Sequence, residues 1–304
     1  MLPLNFLQKL LAQKNAIILY TKVGSNKTMK NMIFKNLKKS YVLIVLICLG
    51  VISCVSTKKA TNVGKKNSLE TNRIIVSKDK TGDYSSITEA IKNWKSNQKI
   101  FIKNGHYIEN ITLKEGMEII GEDNKKTIID GNNDGWVIKA ANNSKIENLK
   151  VINSGSKFGI NDAGIMIDKI YGCEINNNII TKNGHYGIII RESECTISNN
   201  TIYKNKVLGI YVDASTNIVI SKNQIFSHKH SGINIGKIIK NTNLLIKNNQ
   251  IYNNILFGIY HGSKCIDEKF NISIIDNQFK NINKDKAIYF FGKCAILEEN
   301  NIVE

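Results

Sequence analysis

The chain has 304 residues, 42 of them basic and 25 acidic, for a formal charge of +17. That charge is unevenly placed. The first 53 residues hold eight Lys, no Arg and no acid, and without them 34 basic residues face 25 acidic ones, a charge of +9. The remaining charges are interleaved rather than gathered with aromatics into a stripe, which argues against a nucleic-acid partner.

In chain order, Lys30, Lys35, Lys38 and Lys39 precede an apolar run over 41–50 that ends Val51-Ile52-Ser53-Cys54. A basic segment, a short apolar core and a small residue at the cleavage point describe a secretory signal. About 15 apolar residues fall short of the roughly 20 that a spanning helix needs. A small residue directly before Cys resembles a bacterial lipobox, in which the Cys takes the lipid. Residues 29–53 are therefore expected to be a lipoprotein signal peptide, with Cys54 lipidated and holding the protein to a membrane. Residues 1–28 read as an upstream extension or disordered lead before Met29. No Asp follows Cys54, which by a bacterial sorting rule favours the outer membrane over the inner. Residues 54–72 are polar and aperiodic, a flexible tether reaching roughly 20–25 Å.

Ser86-Ile87-Thr88-Glu89 then has the form of a capping box, ahead of an apolar set at Ile87, Ala90, Ile91 and Trp94. A short amphipathic helix is expected here, plugging the N-terminal end of the domain spanning 73–304. Further on, Asp130, Asn132 and Asp134 fit the start of a calcium loop. The twelfth position is Ala141 rather than a bidentate Glu, so the segment reads as a turn, and no cofactor is expected.

From about residue 148 one phrase recurs: Ala163-Gly164-Ile165, Tyr186-Gly187-Ile188, Leu208-Gly209-Ile210, Ser231-Gly232-Ile233, Phe257-Gly258-Ile259 and Lys286-Ala287-Ile288. Successive phrases lie 23, 22, 23, 26 and 29 residues apart. A second phrase keeps step, at Ile175/Asn178/Ile180, Ile197/Asn200/Ile202, Ile220/Asn223/Ile225, Ile246/Asn249/Ile251 and Ile274/Asn277/Phe279. A fixed period of this length means a solenoid. The residues one and three beyond each Gly are almost all Ile or Val, an alternation that gives half-buried strands. The expectation is an all-β, single-stranded parallel β-helix of about ten coils, stacked about 4.8 Å apart with like residues on like. The Asn column would then be a rung-to-rung amide ladder. The last residues, Asn300-Asn301-Ile302-Val303-Glu304, still follow the repeat. Either a partner, such as a second copy, covers that end or the last coil is irregular.

Together with the entry stretch from Ile75 to Ile91 and the phrase Gly105-His106-Tyr107-Ile108-Glu109, these repeats resemble the right-handed parallel β-helix proteins of the pectin-lyase-like superfamily. The resemblance covers residues 74–302. It implies a right-handed coil and a carbohydrate-binding or sugar-hydrolase type of module. The catalytic signatures of polygalacturonases and pectinesterases are mostly missing, and Asn183-Gly184-His185 only touches one of them.

Stacking places Asp168, Arg191 and Asp213 in one outward column, with the two carboxylates about 9.6 Å apart at Cα. Inverting glycosidases hold theirs roughly 6.5–9.5 Å apart, and in a uronate lyase or epimerase Arg191 would neutralise the sugar carboxylate or take a proton. These three are the candidate catalytic residues. The neighbouring column supplies Tyr211, Asn234, Tyr260 and Tyr289 as candidate substrate-binding residues, with ring faces suited to sugars. The bland reading is a charge ladder worth a few tenths of a kcal/mol per pair. Four Cys follow Cys54. Cys173 and Cys195 should stack on adjacent coils as buried apolar residues, and Cys265 and Cys294 share another repeat position, with disulfides permitted by export. No Cys pair has zinc spacing, and His185 and His230, two coils apart, are too distant to share an ion, so no metal is expected. The function expected is binding of an extended, acidic polysaccharide along one sheet, with lyase or epimerase activity as an extension. The alternative is a non-catalytic structural or protein-binding envelope lipoprotein.

Overall fold

The computed structural model describes residues 72–157, 162–263, 265, 270–292 and 294–304. The expected signal, Cys54 and the tether up to residue 71 lie outside them. From residue 72 the chain winds as a parallel β-helix, each turn giving one strand to each of three sheets of ten, nine and eight strands. About nine turns result, against the ten expected. Every strand pair is parallel, and the register repeats: Ile175, Ile197, Ile220, Ile246 and Ile274 are direct partners across five rungs. Ile165, Ile188, Ile210, Ile233, Ile259 and Ile288 form a second such column. The first five of these are fully buried. β-branched side chains stacked on their own kind fill the coil with little cavity, and burial of each Ile contributes about 2 kcal/mol or more.

The corners are made by left-handed residues. Asn177, Asn199, Lys222 and Asn248 have φ of 54–57°, turning the chain directly before each ladder Asn. The ladder itself runs Asn178, Asn200, Asn223, Asn249, Asn277 and Asn301, each Nδ2 donating to the Oδ1 of the next coil at 2.9–3.1 Å. The same Oδ1 accepts the backbone N–H of the preceding Asn, so buried polar groups are satisfied as they must be. A second ladder runs Asn183, Asn205, His228 and Asn254. It explains Gly209, where an added Cβ would lie 2.8 Å from His228 Nε2.

The expected helix is Ile87–Asn93, and its buried Ile87, Ala90 and Ile91 join the core. Ser86 caps it through Glu89 N–H at 3.3 Å. The carboxylate completing the cap is Glu109, however, which accepts from Ile87 N–H (3.1 Å), Thr88 N–H (2.8 Å) and the Ser86 and Thr88 hydroxyls. Cys173 and Cys195 are buried direct partners and free. Cys265 and Cys294 form a disulfide with Cα atoms 5.4 Å apart.

Candidate functional site

The eight-stranded sheet carries the candidate residues. Its strands Ala163–Asp168, Tyr186–Arg191 and Leu208–Asp213 end in register, so Asp168, Arg191 and Asp213 are direct neighbours on three successive rungs. Arg191 Nε lies 3.6 Å from Asp168 Oδ1, with both side chains about a quarter exposed. Asp213 Oδ1 instead accepts the Lys237 N–H at 2.7 Å. The next residue in the column is Gly236, and a Cβ there would collide with the Tyr211 hydroxyl and the Asp213 carboxylate. The glycine therefore leaves room for both groups to lean over the following coil.

In the neighbouring column Tyr211, Asn234, Tyr260 and Tyr289 are direct partners on four successive rungs. All are partly or well exposed. Tyr260 and Tyr289 stack on each other, 5.7 Å apart and 9° from parallel, and Tyr211 stacks on Tyr186 at 5.5 Å and 14°. Tyr260 and Tyr289 meet face to face because they are in-register partners on adjacent rungs, whereas Tyr211 reaches Tyr186 diagonally, since Tyr186 is in register with Leu208. The free ring faces expected for sugars are thus partly committed, and the Tyr211 and Tyr260 hydroxyls lie over Gly236 and Gly262 of the adjacent column. Phe257 and His230 pack against Tyr260. Burial holds the Tyr211 and Tyr186 phenols above their ordinary range, reinforced at Tyr211 by Asp213. Both are neutral hydrogen-bond donors at pH 7 rather than bases.

The N-terminal half of this face differs from the sequence expectation. Met166 and Ile189, outward by alternation, are 2% and 3% exposed. They pack outside the coil with Ala163, Trp136, Tyr186 and Tyr211, and Lys139 Nζ sits 5.5 Å over the Trp136 ring. Two apolar residues at outward positions of adjacent rungs were the available signal. Beyond the charged column, at the corner of the coil, lies an open groove of about 400 Å³ lined by Lys169, Tyr171, Glu192, Glu194, Thr216 and Ile239 among others. Its residues keep the repeat spacing, Lys169 with Glu192 and Tyr171 with Glu194 and Thr216, but they vary in type and so form no column of like residues.

The other candidates resolve locally. Asp130 accepts from Asn132 N–H at 2.9 Å and Asn153 Nδ2 at 3.0 Å and pairs with His106 Nε2 at 2.7 Å, so its carboxylate is engaged within the turn. Asn132 and Asp134 are exposed. His185 is buried against Tyr186, ring centroids 4.0 Å apart. Burial lowers the pKa of its imidazole, partly opposed by Asp162.

A family described as "Right handed beta helix region" matches residues 134–303. The chain belongs to that family, and its coil is a right-handed parallel β-helix. Solved structures share the fold. Pectate lyase Pel9A aligns over 76% of this chain and 77% of its own, with a TM-score of 0.55 and 12% identity. A pectin methylesterase from Aspergillus niger aligns over 79% and 88%, with 0.50 and 15%. No curated protein sequence matches the chain.

Proposed function

We propose that the protein binds an extended, acidic polysaccharide along the outer face of the eight-stranded sheet. The observation that carries this reading is the in-register row running from Asp168, Arg191 and Asp213 through Tyr211 and Asn234 to Tyr260 and Tyr289. Six rungs at about 4.8 Å span roughly 24 Å, a straight track of donors, acceptors and rings that suits a linear polymer. Arg191 would meet a uronate carboxylate and the flanking aspartates the sugar hydroxyls. The fold shared with pectate lyase and pectin methylesterase is compatible with this use and does not by itself assign it. The same three charged residues are where lyase or epimerase chemistry would act.

The test is binding of uronate polymers and neutral glucans by the full chain, with unsaturated-uronate absorbance read in parallel. Arg191→Ala should weaken uronate binding about tenfold or more, the loss of one charge-assisted contact, and affect neutral glucans less. Unchanged affinity would remove the site from this column. Product absorbance that disappears in Asp168→Ala and Asp213→Ala would establish the lyase extension.

We also propose that the protein is exported and held through a lipid on Cys54, the outer membrane being favoured by the residues that follow it. The lipobox-like Val51-Ile52-Ser53-Cys54 supports this. Cys54→Ala should abolish labelling by a radioactive fatty acid and move the protein out of the membrane fraction. Labelling that survives the substitution would rule the anchor out.

A further inference from the structure

The disulfide lies beside a histidine that is built like a metal ligand. A ring nitrogen of His261 and the sulfurs of Cys265 and Cys294 all lie within 4.8 Å of one another. His261 is 1% exposed, at the inward end of the Phe257–His261 strand, where the preceding rungs carry Ile or Val. Its Nδ1 lies 2.9 Å from the Ile235 carbonyl oxygen, an acceptor only, so Nδ1 carries the proton. Nε2 is then left with its lone pair. It is buried and has no hydrogen-bond partner among the described residues. A buried nitrogen acceptor with nothing to accept costs stability, about 1–3 kcal/mol. Fixing one imidazole nitrogen on a backbone carbonyl is also how proteins present the other nitrogen to a metal. Phe290, its ring 5.4 Å away, screens one side of the imidazole.

We propose that His261, Cys265 and Cys294 form a redox-gated site for a thiolate-preferring metal cation of the zinc class, closed while the disulfide stands and open once it is reduced. A dithiol reductant gives two electrons and two protons to the disulfide, leaving two thiols and a new disulfide on the reductant. A divalent cation then displaces both thiol protons and binds two sulfurs and Nε2. Two thiolates and one imidazole are a zinc donor set, and a fourth position stays open to water or another ligand. The repeat spacing places Cys265 and Cys294, 29 residues apart, at one position, but no short zinc-type spacing links them to each other or to His261. The inference is independent of the polysaccharide reading.

The probe is Zn²⁺ added to the full chain in detergent, with and without a phosphine reductant that does not bind zinc. The reduced protein should take up one equivalent in competition with a chromophoric chelator, and zinc should raise its melting temperature. The oxidised protein should show neither effect. Cys294→Ser should abolish uptake at this site, and His261→Ala should weaken it about tenfold or more. These variants separate the site from the other thiols of the chain. Cobalt substitution should give thiolate charge-transfer absorption in the reduced wild type alone. Zinc uptake unaffected by either substitution, or no zinc-dependent stabilisation of the reduced protein, would overturn the proposal.

Discussion

His228 occupies a place that Asn183, Asn205 and Asn254 hold on neighbouring coils. Its Nδ1 accepts the Asn205 N–H at 3.3 Å and its Nε2–H donates to the Ile202 carbonyl at 3.2 Å. Protonating Nδ1 would place a charge in a side chain with no exposure, a cost that the Asn205 and Ile202 carbonyls offset only in part. Burial pushes the imidazole down from 6.5 to about 4. Between those values the unfolded chain binds the extra proton, so stability is complete above about pH 6.5 and falls as pH drops towards 4. A shift of that size corresponds to about 3 kcal/mol. His228→Asn would continue the amide ladder and should flatten stability over that window, read from urea midpoints at pH 7 and pH 4.5. An unchanged pH dependence would show that the histidine is not the source. Its ladder role is invisible locally, since the column it completes is assembled from residues 22 to 26 apart.

The helix Ile87–Asn93 shows the reach and the limit of local rules. Its position, its N-cap Ser86 and its buried face follow from the sequence, because caps and helical periodicity are short-range properties. The acidic partner does not. Glu89 fits the capping-box spacing yet supplies only its backbone N–H, while Glu109, from the next coil, binds two backbone amides and two hydroxyls. The Glu of the Gly105–Glu109 phrase is thereby given a physical task, tying the helix to the start of the coil. Glu109→Ala should cost about 1–3 kcal/mol, and Glu89→Ala less than about 0.5 kcal/mol as an ordinary surface change. Equal losses in thermal or urea unfolding would return the cap to Glu89.

At the scale of the molecule, the architecture was readable because each coil repeats the last by simple translation. The Gly-Ile and Ile-Asn phrases therefore named the core columns, the ladder and the rung of every candidate site residue. What lay outside the repeat was not readable. Trp136 covering Met166 and Ile189, the corner groove at Tyr171, and the meeting of His261 with Cys265 and Cys294 all depend on which side chains stand at positions where the repeat fixes the place and not the residue type. The stacked tyrosines fall between these cases. Their column was legible, but the pairing of their faces follows from rung spacing and ring planes.

The amide ladder from Asn178 to Asn301 has one more property, which is direction. Every ladder oxygen points to the preceding coil, while each Nδ2 from Asn178 to Asn277 donates forward to the next oxygen and back to a backbone carbonyl of the preceding coil. Backbone dipoles in a sheet alternate and largely cancel, whereas these side-chain carbonyls all face one way along the coil. The ladder therefore has a sense along the coil that its net charge does not reveal, with side-chain carbonyls turned towards the end that the helix Ile87–Asn93 covers.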